Sequence, residues 1–355
     1  MIRKEYMKKL TLLFACCVLL GIACNHSEKS VEKQSITISG SLANSLKLGD
    51  KLSLRISGEN SDIATTTADK DGNFSFTVNV EKEQFLTLYV KDSPLREIIT
   101  DSQDITVSKN GGHVEINGSR YNDIWFNFKE RVKPYVGTLE SSMNASDREK
   151  AQRELLEIID ALIVENRDNP TSIKMLEMYI EYGGDEKRTT ELFTLINKKY
   201  SYLSNYQYIE NIYVGKNLVD LKLNDVNGVQ VSLSDVAKEG KWVLINYWAL
   251  WKPASQKDTQ YLVEAYDKFS AHGFEIYSVA FGRATQKSEW RDLVNKNELK
   301  WINVWGSGNN GSMDAGKPYF VYDVPANFLY SPEGKLVAKN IHGEDIDKIL
   351  SEHIK

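Results

Sequence analysis

The chain has 355 residues, with 44 Lys and Arg against 49 Asp and Glu, and its formal net charge of −5 gives no basic footprint for nucleic acid. A hydrophobic fraction of 41% with 10% aromatic residues excludes a disordered chain. The length exceeds one ordinary core and predicts two or three compact units. Beyond residue 23 no apolar run reaches the roughly 18 residues that a membrane-spanning helix needs.

The N-terminus reads as a targeting segment. Arg3, Lys4, Lys8 and Lys9 form a basic start, and the mostly apolar run 10–23 that follows is 14 residues long, short for a bilayer span and suited to the core of a signal peptide. The run ends Leu20-Gly21-Ile22-Ala23-Cys24, with small residues before a cysteine, and resembles a bacterial lipoprotein box. That resemblance implies cleavage of residues 1–23, lipid on the sulfur of Cys24, and attachment to a membrane surface without a spanning helix. The expected location is the cell envelope: the outer membrane, on its periplasmic or surface face. The alternative is an ordinary cleaved signal with an incidental cysteine; Cys16, in the middle of the run, is a weaker lipid acceptor. Residues 24–35 are polar and charged and read as a tether. The three cysteines, Cys16, Cys17 and Cys24, all lie in the first 24 residues, so the body of the chain has no thiol.

A β-rich unit is expected over 36–119. Ile36-Ile38 and Leu52-Leu54-Ile56 alternate with polar residues, Phe74 to Val78 resumes the alternation, and Phe85 to Val90, Glu97 to Thr100 and Ile105 to Val107 add short strands. This spacing predicts a small antiparallel sandwich. Asp69-Lys70-Asp71-Gly72-Asn73 reads as a hairpin turn rather than a calcium loop, because the closing glutamate is missing. The pattern ending in Ile116-Asn117-Gly118-Ser119 resembles the β-domain that precedes thioredoxin domains in Bacteroidetes lipoproteins.

Residues 120–210 read as helical. Leu155, Ile158, Ile159, Leu162 and Ile163 keep helical spacing, Asn169-Pro170-Thr171 breaks the helix, and Met175 to Tyr182 and Leu192 to Ile196 continue on two more. Tyr200, Tyr202, Tyr206 and Tyr208 read as rings packing the helices against a neighbouring unit rather than as a sugar-binding surface.

Strands alternate with helices over 211–355. The apolar run Trp242-Val243-Leu244-Ile245 leads into Asn246-Tyr247-Trp248-Ala249-Leu250-Trp251-Lys252-Pro253-Ala254-Ser255-Gln256. Phe274 to Ala280 reads as a buried strand, Ser288 to Val294 as a helix and Trp301 to Val304 as a strand. Val324-Pro325 precedes the strand Asn327 to Tyr330, the turn Ser331 to Lys335, and a last helix at 345–354. In order and spacing this unit resembles the membrane-associated thioredoxin-like proteins of the TlpA and AhpC/TSA type. The resemblance implies an α/β thioredoxin fold, preceded here by the β-sandwich and the helical region. It places Trp248, Ala249, Trp251 and Pro253 in the active-site pattern W-A-x-W-C-P, and Pro325 at the proline held cis beside that site. Val324 would then be the residue whose backbone pairs with a bound substrate. The pattern's two cysteine positions are occupied by Lys252 and Ser255. Thiol–disulfide exchange needs a thiolate to attack, and neither residue supplies one. No catalytic residue, metal or cofactor is therefore expected, and none of the five histidines (His26, His113, His272, His342, His353) forms a pair with metal-ligand spacing.

Three other chemistries can be weighed. Lys252 could act as an amine nucleophile, or Ser255 with a histidine partner, but no Gly-x-Ser-x-Gly elbow is present. The loop Gly306 to Ser312 lacks the ending of a phosphate loop and reads as surface. The reading that best fits the residues is a lipid-anchored binding or scaffold protein, with an envelope protein or peptide as partner and no nucleic acid. A thiol–disulfide oxidoreductase is the alternative.

Overall fold

The computed structural model describes residues 34–355 apart from 44, 60, 81, 111, 112, 309 and 310. The expected signal peptide 1–23, lipid acceptor Cys24 and most of the tether lie outside the described residues, as do two residues of the glycine-rich loop.

Eight strands form the first unit: β1 (Gln34–Ser41), β2 (Lys51–Ile56), β3 (Asp62–Thr67), β4 (Asn73–Val80), β5 (Phe85–Val90), β6 (Ser93–Ile99), β7 (Ile105–Asn110) and β8 (His113–Asn117). They make two four-stranded sheets, ordered β4-β1-β7-β8 and β3-β2-β5-β6. Alternate residues of each strand point into the space between the sheets, as in β4, where Phe74, Phe76, Val78 and Val80 are buried and their neighbours exposed. Ile36, Ile38, Leu52, Leu54, Leu86, Leu88 and Ile98 complete this core. Each such side chain contributes about 1.5–3 kcal/mol on burial.

Three expectations are corrected here. The tether ends two residues early, because Gln34 and Ser35 already pair with Val80 and Asn79 in β1. The sandwich is not wholly antiparallel: β1 runs parallel to β7, with Ile38 opposite Ile105 and Gly40 opposite Val107. Gly40 suits that pairing, since a Cβ there would stand 1.9 Å from the Val107 carbonyl oxygen. The turn at Asp69 is tight, its carboxylate accepting from the amides of Asp71 (2.9 Å) and Asn73 (2.8 Å), but it is not a hairpin. It links β3 in one sheet to β4 in the other, so the chain changes layers there.

The helical region comprises α1 (Arg120–Ser141), α2 (Ala145–Glu165), α3 (Thr171–Glu181), α4 (Glu186–Leu195) and α5 (Ser204–Asn211). Ser119, Asn144 and Asp185 cap α1, α2 and α4 through side-chain oxygens. The inner faces supply Trp125, Phe128, Val132, Leu155, Ile159, Ile163, Ile173, Leu176 and Leu192, and the same cluster takes in Phe85 and Ile99 of the sandwich. Phe85 and Ile99 thus tie the sandwich to the helical core, while the space between the two sheets keeps a core of its own. The tyrosines pack as expected: Tyr200 and Tyr206 are buried, and the Tyr202 hydroxyl donates to the Glu83 carboxylate at 2.9 Å across the boundary with the sandwich.

The last unit contains β9 (Lys222–Asp225), β10 (Gln230–Ser232), α6 (Leu233–Ala237), β11 (Trp242–Ala249), α7 (Pro253–Lys257), α8 (Thr259–Phe269), β12 (Phe274–Phe281), α9 (Lys287–Lys296), β13 (Ile302–Trp305), β14 (Ala326–Tyr330), β15 (Leu336–Lys339) and α10 (Glu344–His353). Its seven strands are ordered β10-β9-β13-β12-β11-β14-β15, with β11, β12 and β13 parallel and β14 antiparallel to β11. Both faces are covered, and β11 is buried on both sides. Val243, Ile245 and Tyr247 enter one core with Tyr319 and Phe328, whereas Leu244 enters the other with Leu262, Phe269 and Leu350. This is the thioredoxin fold expected of residues 211–355. It touches the other units through Asn211, which donates to the Pro318 carbonyl at 2.9 Å, Lys317, which donates to the Gly58 carbonyl at 3.1 Å, and the ion pair of Lys339 with Glu186 at 3.0 Å. Among the described residues no helix is long and apolar enough to cross a membrane.

Candidate functional site

The site forms where β11 ends. Central in its sheet, β11 delivers Trp248 and Ala249 to the C-terminal edge, and the Leu250 amide still bonds the Phe281 carbonyl at 3.1 Å. The chain then turns, the Lys252 amide donating to the Ala249 carbonyl at 3.3 Å, and α7 begins. Pro253 occupies the first helical position, where its missing N–H costs nothing and its fixed φ suits the helix. Proline also disfavours helical backbone for the residue before it, and Lys252 at the cap is extended with φ −113° and ψ 100°.

The Lys252 ammonium sits at the positive end of α7, an unfavourable place for a cation. It is compensated from the facing loop by an ion pair with Asp323, which lies 71 residues away in sequence. Asp323 is largely exposed, so the pair offsets the repulsion without adding much stability, about 0–1 kcal/mol for such surface pairs. Next to Asp323 the Val324–Pro325 peptide is cis. The pairing of Ala326 with Tyr247 sets Pro325 level with Trp248 at the end of β11. Val324 is buried, whereas Trp251 and Tyr322, the residues before Lys252 and Asp323, are each 50% exposed. Phe320 supports Tyr322 edge-on at 4.9 Å. The ion pair thus joins the start of α7 to the loop that leads into the cis peptide, with Trp251 and Tyr322 exposed next to its two members in sequence.

The two residues at the ends of the Lys-Pro-Ala-Ser segment face different ways. Lys252 reaches out to Asp323, while Ser255 is turned inward and 5% exposed. The Ser255 amide donates to the Lys252 carbonyl at 2.9 Å, but its hydroxyl has no hydrogen-bond partner. A nucleophilic serine needs a base on its hydroxyl, and none touches it. His342 is engaged elsewhere: its Nδ1 lies 2.6 Å from Asp258 Oδ2 at the start of α8. Trp248 is a core residue packed with Trp290 and Trp305, leaving Trp251 as the indole on the surface. Among the described residues no group of three or more His, Cys, Asp or Glu is placed to hold a metal ion.

Asp323 and Tyr322 were not singled out in the sequence. A carboxylate next to the cis-proline position, in a chain whose helix start carries lysine, was the available signal for Asp323. Nothing in the local pattern marks Tyr322.

Fold and site together define a thioredoxin-fold protein. The AhpC/TSA family profile matches residues 214–339. The thiol:disulfide interchange protein DsbE of Escherichia coli K12 is 30% identical over 151 residues, which cover 41% of this chain and 75% of DsbE. The thiol-disulfide oxidoreductase ResA of Bacillus thuringiensis is 27% identical over 146 residues, covering 41% of this chain and 79% of ResA. Among solved structures, the thioredoxin domain of a thiol-disulfide oxidoreductase from Bacteroides vulgatus is 28% identical, covers 40% of this chain and 99% of that one, and superposes with a TM-score of 0.37. The chain belongs, through its C-terminal unit, to the TlpA/AhpC-TSA family of thioredoxin-fold proteins.

Proposed function

We propose that this protein is a lipid-anchored, redox-inactive member of its family that holds an extended polypeptide of the cell envelope in the groove between Trp251, Tyr322 and Val324. The observation that carries the reading is the pairing of Lys252 with Asp323 where a reactive thiolate would have to stand. Electron transfer by this fold passes through sulfur, and the sequence beyond Cys24 contains none as cysteine. What supports binding is the pair of exposed aromatic side chains Trp251 and Tyr322 on a rigid scaffold, with the backbone before the cis-proline as the expected contact for an extended peptide. Lipid on Cys24 would hold this groove at a membrane surface, with the sandwich and helices between anchor and groove.

A second reading, thiol–disulfide oxidoreductase, is favoured by the activity for which the relatives DsbE and ResA are named. It requires a sulfur donor from outside the chain. A photoreactive residue at position 252 in cells tests the binding reading, with the same residue at Thr65 on the exposed edge strand β3 as control. One discrete product from position 252, absent from position 65 and lost in Trp251→Ala, supports it. Equal labelling from both positions, or none from 252, contradicts it.

A further inference from the structure

β6 and β8 are the outer strands of their two sheets, and α1 packs against both. Asn122, near the start of α1, pins the helix to β6: its Oδ1 accepts from the Ile99 amide at 2.8 Å and its Nδ2 donates to the Ile99 carbonyl at 3.0 Å. Beyond that pin, helix and strand edges leave an open trench of about 670 Å³, the size of a small-ligand site. No described residue of the thioredoxin-fold unit lines it. Val114 of β8, Phe126, Val132 and Val136 of α1 and Met178 of α3 give it an apolar stretch. Phe126 is 45% exposed, a large ring left facing water on this side of the helix.

Two cations stand in the same walls, Arg96 of β6 and Lys129 of α1, and both are half-buried rather than fully solvated. Among the described residues neither side chain forms an ion pair or a hydrogen bond, and the Lys129 ammonium rests 5.4 Å over the Trp125 ring. Burial first, then the charge of Arg96, lowers the Lys129 pKa, with Lys174 adding to it; Glu97 and Glu130 pull the other way without restoring it. An unpaired guanidinium beside an unpaired ammonium lacks the acceptors that such groups take when withdrawn from water. The carboxylates nearby do not supply them. Glu97 is bonded to Lys174 at 2.7 Å, Glu130 to Lys133 at 3.4 Å, and Glu115 has a partner of its own. Asp123 and Glu140 lie about 9 and 16 Å from Lys129 along the axis of α1. A carboxylate or phosphate is the acceptor that fits both cations, the guanidinium through its paired donors and the ammonium as a point charge. The apolar stretch alongside asks for a hydrocarbon body on the same molecule. A free inorganic anion would leave Phe126 wet, and a neutral or cationic amphiphile would leave Arg96 and Lys129 unmatched. We propose that this trench binds an anionic amphiphile, its carboxylate or phosphate head at Arg96 and Lys129 and its acyl chain along Phe126, Val136 and Met178.

The test is titration of the full chain with dodecanoate and dodecyl phosphate below their micelle concentrations. Dodecyltrimethylammonium and butyrate, the second a head without the chain, are the comparisons. Calorimetry gives the affinity, and the indole N–H resonance of Trp125, next to Lys129, reports the site. The expected result is saturable binding of dodecanoate, dodecyl phosphate or both, with a moved Trp125 signal, about tenfold or more tighter than either comparison compound. Lys129→Gln should weaken it about tenfold, the scale of one lost hydrogen bond to a charged group. Phe126→Ser should weaken it about as much through lost apolar contact. Both side chains are partly exposed, so neither change opens the core. Tighter binding of dodecanoate assigns a carboxylate head, and tighter binding of dodecyl phosphate a phosphate head. Absence of saturable binding by either anion, equal affinity for dodecyltrimethylammonium or butyrate, or affinity unchanged in both variants overturns the proposal.

Discussion

At position 252 a cation meets the positive end of a helix and is held there by a carboxylate from the opposite loop. A thiol in that place would gain from the same dipole, because the helix N-terminus favours a thiolate. Ser255, one turn along and buried, faces away from solvent as a resolving thiol must. The double variant Lys252→Cys, Ser255→Cys should therefore fold, close an intramolecular disulfide in air and lose both free thiols in a thiol titration. A folded variant that retains two free thiols would place the start of α7 elsewhere. The motif residues Trp248, Trp251, Lys252, Pro253, Ser255, Val324 and Pro325 were read through the resemblance of their segments to the family's W-A-x-W-C-P pattern and cis-proline, and the Val324–Pro325 peptide is cis. Asp323 was not, because a compensating charge is chosen by proximity in space. Nor was the direction of Ser255, since sequence spacing does not say which side of a short helix the core lies on.

At the scale of elements, strands with strict alternation were legible, and β4 follows the pattern residue by residue. The edge strand β3 was not, because its run Asp-Ile-Ala-Thr-Thr-Thr is mostly exposed and carries little apolar periodicity. The parallel pairing of β1 with β7 was also out of reach, since pairing partners distant in sequence leave no local signature. In the helical region α1 was covered by the helical reading of 120–210 but not delimited as a separate helix, although Trp125, Phe128 and Val132 keep helical spacing along it. Pro134 is accommodated on the exposed side, where Thr138 Oγ1 bonds its carbonyl at 3.0 Å. The β2–β3 edge contains the clearest titration device among the strands. Asp62 accepts from Arg55 Nε at 2.6 Å and from Lys51 Nζ at 3.1 Å. These bonds, Arg55 first, hold its carboxyl down at about 2. A carboxyl with a depressed native pKa adds stability above its ordinary value near 4, and that contribution is lost as pH falls from about 4 toward about 2. Chemical denaturation across that window should show a loss of about 1 kcal/mol from this residue, allowing for its partial exposure. Asp62→Asn should flatten the loss; an unchanged slope would mean the pair is not formed in solution.

Across the whole molecule, one buried cation ties the units together. Lys174 on α3 reaches back to Glu97 of β6 at 2.7 Å and lies 3.9 Å from Glu177, with its ammonium 5.2 Å over the Phe85 ring. Burial opposes the charge of Lys174, yet the Glu177 and Glu97 carboxylates outweigh it and its pKa lies above the ordinary lysine value. Glu177 responds in the opposite sense: burial dominates and pushes its carboxyl up, although Lys174 and a hydrogen bond from Asn205 lower it. Removing the lysine alone would strand a buried carboxylate, which costs about 3–5 kcal/mol in comparable settings. Lys174→Ala should lower stability by about that amount in denaturant unfolding, and Lys174→Met combined with Glu177→Gln should recover much of it. Separate transitions for the sandwich and the helices, insensitive to Lys174, would contradict that tie. The order of units along the chain was readable from changes in hydrophobic period, whereas this junction was not, because it joins a strand and a helix 77 residues apart.

The central claim is that this thioredoxin-fold site binds without exchanging electrons, and catalytic turnover tests it most directly. The chain, processed from Cys24 onward and free of other thiol proteins, should not accelerate reduction of insulin by dithiothreitol, while Lys252→Cys, Ser255→Cys should. Turnover by the unsubstituted chain would contradict the account and restore the oxidoreductase reading.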